Sequence, residues 1–518
     1  VRNAPAGAEP LLPGAVAAAV SGLLLAAAFP ALDWGPLALV ALVPLLWAWQ
    51  RVGPARGALY GFVSGVACFG VVLWWSVYFG AVAIIPFVAL EAAYWAGTGA
   101  VVGALGRRGV RSPWIVASAW VVFEALRSRW PLGGFSWAQV GVALHDFPVA
   151  RALASSGGVP LVTFVVVLVN GLLLQLALRA IGRERASGLR PLAVAVGTLG
   201  AVILVVTLAG VFAYEPTKTG SIKFALLQGN DQNRRLTQAE IDSGYLTHKH
   251  LDLARKLRGR YDVIVFPESS LETDPEVDFQ LKAELTALAR RHHSSIIANV
   301  IDETTPGKRY NANRFYDATG RLRGTYAKQH LVPFGEYVPW RDELSFVSEL
   351  QQIPKDLDPG HTTKTFRIGG RPVGTVICFE SAFGPLMRDS VRKGAEAVVV
   401  TTNNRSYQRS PNSAQHVALS QMSAAAIGRP VLHASISGIT AVIDAQGDVH
   451  QSTELFKNAV VTGRITTMRG ETPFVRFGDW VEWASLIALL GAATLAVFRP
   501  RLAVPDRQPE LTPAGSPE

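Results

Sequence analysis

The sequence predicts a two-part protein: a multi-pass α-helical membrane domain of about eight transmembrane helices, joined to an α/β layered domain. Three observations predict it. The 518 residues are 49% hydrophobic and only 17% charged, whereas a soluble domain carries about 25% charged residues. Residues 1–213 hold 13 arginines, no lysine and six acids, a net of +7; the remainder holds 36 basic and 33 acidic residues, a net of +3. Apolar runs of membrane length before residue 214 give way to short β-type runs separated by helical stretches. This composition excludes a disordered chain and argues against an ordinary cytosolic enzyme. Two cysteines exclude a disulfide scaffold and a multi-cysteine metal site.

About 20 mostly apolar residues cross the hydrocarbon core. Seven spans are expected before residue 214, at 15–30, 36–49, 58–79, 84–105, 113–126, 159–178 and 192–214, with an eighth at 480–498. The first two are short, and a single re-entrant pair is the alternative reading. More apolar spans follow the first and no small-residue cleavage site does, so it is not read as a removable signal peptide. The chain opens on Val rather than Met, which leaves its true start open.

Arginine placement sets the expected orientation. Arg51 and Arg56 follow the second span, Arg107, Arg108 and Arg111 the fourth, and Arg179, Arg183, Arg185 and Arg190 the sixth. The loops after the first and third carry no Arg or Lys, while Arg127, Arg129 and Arg151 weaken the contrast after the fifth. The alternation places the N-terminus in the cytoplasm and the chain from 214 onward on the outer face. The eighth helix then returns Arg499 and Arg501 to the inside. The expected division is a membrane domain at 1–214 with seven helices, an extracytoplasmic domain at 215–475, a C-terminal helix at 476–500 and a disordered cytoplasmic tail at 501–518. Glu91 and Glu124 fall within apolar segments, where carboxylates are costly and often functional. Pairing of Glu124 with Arg127, one turn away, is the preferred structural explanation. Cys68 reads as a small packing residue.

In the second half, strands are expected at 222–227, 263–266, 295–300, 314–317, 373–378, 397–401, 431–435 and 440–443. Helices are expected at 251–258, 281–291, 383–393 and 414–427 by apolar spacing. The runs 317–320 and 444–447 read as hairpin turns. There is no internal repeat and no phosphate-cradling glycine loop.

Three reactive residues stand at informative places. Glu268 follows the strand 263–266, Cys378 ends the strand 373–378, and Lys328 opens an apolar segment kinked by Pro333 and Gly335 that closes on Glu336. Strand ends of α/β folds collect catalytic side chains. A carboxylate accepts the thiol proton and an ammonium stabilises thiolate and oxyanion, so the three form a nucleophilic set. Taken singly, each has a bland reading: a buried core Cys, a surface Glu, a Lys in a salt bridge.

At these residues the sequence resembles the apolipoprotein N-acyltransferases, bacterial membrane enzymes of the nitrilase (carbon–nitrogen hydrolase) superfamily. The run from Lys328 to Pro339 (KQHLVPFGEYVP) carries the resemblance, as do Phe123–Arg127 (FEALR), Gly133–Trp137 (GGFSW) and Gln228-Gly229-Asn230. The resemblance covers nearly the whole chain. It implies a nitrilase-like αββα sandwich, with Cys378 as nucleophile, Glu268 as general base and Lys328 as oxyanion-stabilising cation. Phe379 would supply an oxyanion-hole N–H, and Glu336 and Glu380 would be supporting carboxylates. It also implies the reaction: a fatty acyl chain passes from a membrane phospholipid, through a Cys thioester, to the N-terminal amine of a diacylglyceryl-cysteine in an apolipoprotein.

Phe379 stands where the family often has Tyr, and Asn403-Asn404-Arg405-Ser406-Tyr407 replaces a run that often contains Trp. Arg405 and Tyr407 are candidates to contact a phospholipid phosphate, against a solvated-loop alternative. The loop 339–359, with Trp340, Leu344, Phe346, Val347 and Leu350, reads either as a mobile apolar flap over an acyl-chain entrance or as a segment packed on the core. No cofactor, metal or nucleic acid is required. A membrane-tethered amidase using water, and a non-catalytic scaffold, are the rival classes.

Overall fold

The computed structural model describes residues 11–181 except 51, residues 196–198, 200 and 204, and residues 214–231 and 236–498 except 345, 347–349, 351, 352 and 354. Most of the expected seventh span and all of the tail 501–518 lie outside the described residues.

The first half is helical: α1 (Leu11–Ala27), α2 (Pro54–Val72), α3 (Ala81–Arg107), α4 (Pro113–Arg127) and α5 (Pro148–Ala180). Proline opens α2, α4 and α5, where its fixed φ suits the first turn and its missing N–H costs no bond. The second expected span is broken into Gly35–Leu37, Ala38–Ala41 and Val43–Ala48, with Pro44 at the start of the last piece. Among the described residues, four helices are long and apolar enough to cross a membrane: Pro54–Val72, Ala83–Arg107, Pro148–Ala180 and Trp480–Phe498. Leu11–Ala27 and Gly35–Ala48 are shorter apolar segments. Glycines at every fourth position of α2 bring it against α3: a Cβ on Gly57 would lie 2.1 Å from the Gly99 carbonyl oxygen, and one on Gly61 2.2 Å from that of Trp95. Small residues at this spacing let backbones approach closely, which is how helices associate in lipid. α5 begins eleven residues earlier than the expected 159–178, because the apolar span is only its part beyond a kink at Gly157 and Gly158.

The expected Glu124–Arg127 pair does not form. Arg127 turns to α3, where its Nη1 meets Glu91 Oε2 at 2.8 Å, and the same nitrogen donates to the Trp137 carbonyl at 2.8 Å. Glu124 instead accepts from the Val140 N–H and the Thr163 hydroxyl, each at 2.9 Å, and from the Trp120 indole at 3.4 Å. Spacing along α4 shows that the two can meet; it does not reveal the competing carboxylate brought in by α3. Cys68 is buried, as expected of a packing residue.

The second half is built on two six-stranded sheets. The first has the order β12 (Ala459–Arg469), β1 (Thr217–Gln228), β2 (Val263–Phe266), β3 (Ser295–Asp302), β4 (Tyr310–Tyr316) and β5 (Leu322–Ala327). The second runs β11 (Val449–Ser452), β10 (Ala441–Ile443), β9 (Val431–Ser435), β8 (Ala397–Thr402), β7 (Arg371–Ile377) and β6 (Thr365–Ile368). In each sheet the central three strands are parallel and the flanking pairs antiparallel.

Alternate residues of the inner strands face the partner sheet: Phe224, Val265, Ile297 and Phe315 pack with Val373, Ile377, Val399 and Leu432. Their neighbours point outward, so these strands read as continuous apolar runs. The other face of the first sheet packs on α6 (Tyr245–Arg255) and α7 (Phe279–His292). That of the second packs on α8 (Gly384–Arg392) and α9 (Asn412–Ile427), in one cluster continuous with Phe29, Trp75, Trp137 and Val166 of the helical half. Thus α9 lies between a sheet and the membrane helices, buried along nearly its whole length. α10 (Trp480–Phe498) follows, with Trp483, Ile487, Leu490 and Leu495 outward and exposed. Apolar side chains on that face suit hydrocarbon.

Candidate active site

Glu268, Lys328 and Cys378 each leave the end of an inner or edge strand, and the two sheets bring these ends together. Glu268 follows β2, Lys328 follows β5 and Cys378 follows β7. Cys378 has φ +52°, a left-handed conformation that a side chain adopts only when surroundings impose it. The surroundings are on hand. His416 Nε2 donates to the Cys378 carbonyl at 3.0 Å, and the Glu380 carboxylate accepts the Ile377 N–H at 2.8 Å, so both sides of the turn are held.

Lys328 is 1% exposed. Its Nζ lies 2.8 Å from Glu336 and 3.4 Å from Glu268. Burial opposes its charge, but Glu336 and Glu268 hold its pKa well above the ordinary lysine value. Asn311 on β4 links the two carboxylates, donating to Glu268 Oε1 at 2.7 Å and to Glu336 Oε1 at 2.8 Å. The other Glu268 oxygen accepts the Asn403 N–H at 2.7 Å. A cation between two carboxylates, in a buried site, fixes all three side chains in direction.

Glu380 is fully buried and has four donors: the N–H groups of Ile377, Gln329 and His330 and the Tyr326 hydroxyl. It therefore ties the turn bearing Cys378 to the loop that follows Lys328.

Burial and the Glu268 charge push Cys378 up to about 12, while Lys328, the Thr402 hydroxyl and the Asn403 N–H act in the opposite direction. The Thr402 hydroxyl donates to Sγ at 3.2 Å. That balance favours the protonated thiol in the resting site. Alkylation of Cys378 by iodoacetamide is then expected to rise about tenfold per pH unit between about pH 7 and 10. Mass spectrometry of the labelled peptide would read this, and a plateau below about pH 9 would reveal a pre-formed thiolate instead.

Phe379 is buried, its ring stacked on Phe135 at 5.6 Å and Trp137 at 6.2 Å, with Phe383 edge-on at 4.9 Å. The helical half thus supplies an aromatic layer directly beside the turn bearing Cys378. Tyr407 belongs to it rather than to solvent: its ring meets Trp75 edge-on at 4.9 Å. Arg405 Nε lies 3.2 Å from Asp231. Trp340 and Phe346 are exposed, at 61% and 81%, so neither is packed on the core. Part of their loop lies outside the described residues.

Two family descriptions match the chain in succession. "Apolipoprotein N-acyltransferase N-terminal domain" matches residues 21–172, and "Carbon-nitrogen hydrolase" matches residues 225–473. The apolipoprotein N-acyltransferase of Geobacter metallireducens is 30% identical over 499 residues, covering 93% of this chain and 95% of its own length. The chain belongs to the apolipoprotein N-acyltransferase family. The family's enzyme from Methylococcus capsulatus is 31% identical over 487 residues, covering 89% of this chain and 92% of its own. Among solved structures, a carbon-nitrogen hydrolase from Helicobacter pylori is 15% identical with a TM-score of 0.35, covering 52% of this chain and 94% of its own.

Within this apolipoprotein N-acyltransferase chain, sequence reasoning missed Asn311, Thr402, Asn403 and His416. Asn311 and Asn313 had a signal, two amides at alternate positions of one buried strand. Thr402 and the Asn403 N–H had none, since a β-branched residue and a backbone group look alike at any strand end.

Proposed function

We propose that the chain transfers a fatty acyl group from a membrane phospholipid to the α-amine of a diacylglyceryl-cysteine at an apolipoprotein N-terminus, through a thioester on Cys378. The observation that carries this reading is the buried Glu268–Lys328–Glu336 cluster beside a thiol, with an aromatic layer from the membrane half against it. Glu268 takes the thiol proton as sulfur attacks the ester carbonyl. Lys328 and the Phe379 N–H face the oxyanion, and collapse expels the glycerol oxygen, which takes the proton from Glu268. The lipoprotein amine then attacks the thioester and loses its proton to Glu268. Thiolate leaves and is reprotonated, and an amide remains. Passing through a thioester divides ester-to-amide transfer into two easier steps. Glu336 and Glu380 hold Lys328 and the nucleophile's turn in register. Trp340 and Phe346 are exposed apolar contacts for lipid, and Arg405 and Tyr407 flank the site as headgroup candidates.

The arginine alternation supports eight crossings in a bacterial plasma membrane, with both termini cytoplasmic and the catalytic domain outside. It also supports domain boundaries near 214, 475 and 500. Both substrates are then lipids presented at the surface against which the domain is held.

Incubation with phospholipid is expected to add one acyl group to Cys378 by intact mass. A diacylated peptide amine should discharge it faster than water does. Discharge by water alone would make the protein a tethered hydrolase and overturn the proposal.

A further inference from the structure

One side chain of the catalytic domain reaches deep into the membrane half. Gln415, on the second turn of α9, is 3% exposed and all four of its hydrogen-bonding positions are used. Its Oε1 accepts two indole N–H groups, from Trp75 at 3.0 Å and Trp137 at 2.7 Å. Its Nε2 donates to two backbone carbonyls, Pro30 at 2.9 Å and Val72 at 3.0 Å. Val72 is the last residue of α2, and Pro30 lies three residues beyond α1. The Val72 carbonyl is one that a helix end leaves unpaired and the Pro30 carbonyl lies in the buried connection after α1, so both need a donor where water is absent.

The next residue faces the other way. His416 Nε2 lies 3.0 Å from the Cys378 carbonyl and 2.9 Å from the Ser381 hydroxyl. Its ring also meets Trp137 at 5.3 Å. Two consecutive residues of one helix thus hold the membrane half and the nucleophile's turn. The indoles that Gln415 orients are members of the aromatic layer: Trp137 stacks on Phe379 and Trp75 meets Tyr407.

We propose that Gln415 is a positioning residue that sets this aromatic layer against the nucleophile's turn, and thereby governs how a long acyl chain, rather than the ester carbonyl alone, is fitted to the site. The inference rests on the acyl-transfer reading above. Gln415 touches none of Cys378, Glu268 and Lys328, so its removal leaves the reacting groups in place. The indoles lose their common acceptor and the layer loses its register. A chain that lies along those rings suffers, and a donor too short to reach them does not.

The test uses the full chain in detergent with two phospholipids, one bearing palmitoyl and one bearing butyryl chains. The rate of acyl-enzyme formation on Cys378 is read by intact mass. Gln415→Met, similar in length but unable to hydrogen-bond, is expected to slow acylation by the palmitoyl donor at least tenfold and by the butyryl donor less than twofold. Trp137→Phe removes one indole donor and leaves the Gln415 carbonyl partners, so it serves if the first variant does not fold. It is expected to show the same split at about a third of the size. Equal losses on both donors in the folded variant would reduce Gln415 to a general packing role, and no loss on either would remove any role; each overturns the inference. Absence of an adduct in the wild-type protein with either donor would instead bring down the acyl-transfer reading.

Discussion

Replacing Cys378 by Ala is expected to abolish acyl-enzyme formation and lower N-acylation at least about a thousandfold, because the covalent step has no other nucleophile. Among the described residues the other cysteine, Cys68, is buried in the membrane half. The fold should tolerate the change. The Cys378 side chain receives a hydrogen bond from Thr402 at 3.2 Å, and the turn is held by backbone contacts from His416 and Glu380 that the substitution leaves intact. The strained φ is also shared by Ala. Thermal unfolding within a few degrees of wild type, together with no adduct by intact mass, is the expected pair of results. An N-acylation rate near that of wild type in the Ala variant would sink the thioester route.

The second large effect is expected at Lys328. Lys328→Met leaves Glu268 and Glu336 buried, joined through Asn311, with no cation between them. Breaking one side of a buried charged cluster costs about 3–5 kcal/mol, and oxyanion stabilisation disappears as well, so activity should fall at least about a thousandfold.

The stability loss has a definite pH sign. In wild type, Lys328 has a folded pKa raised above its unfolded value, so its contribution is fully present below about pH 10 and is lost only in strong alkali. In the variant, burial and mutual repulsion raise one carboxylate above its unfolded value near about 4.3. A raised carboxylate is accommodated below that value and penalised as pH rises through its folded pKa. The variant should therefore approach wild-type stability near about pH 5 and fall furthest behind above about pH 7. Denaturant titrations at the two pH values check this. A pH-independent deficit would mean that the carboxylates are not coupled through Lys328.

How far the sequence could be read follows from which contacts are local. Lys328 was legible because it opens the kinked segment that closes on Glu336, and Glu268 and Cys378 because each stands at the end of an apolar β-type run, where strand ends converge in a layered fold. The inner strands were legible for the same reason. β5, β6, β11 and β12 were not: their residues alternate or are largely polar, as in the exposed Val449–Ser452, and only their neighbours' unpaired edges call for them. Arg127 has two acidic partners within reach, and the choice of Glu91 over Glu124 depends on where α3 places its side chain. Gln415 was invisible for the opposite reason. A glutamine in an alanine- and serine-rich helix looks like surface, and three separate segments, at 30, 72–75 and 137, must be assembled around it before its amide has meaning.

That same helix makes the two halves depend on one another. α9 is buried along nearly its whole length, and Gln415 and Gln421 donate to Pro30, Val72 and Asp146 of the helical half while His416 donates to the Cys378 carbonyl. A substitution that shifts the helical half is therefore expected to be felt at the turn bearing Cys378, with every residue of the site left unaltered.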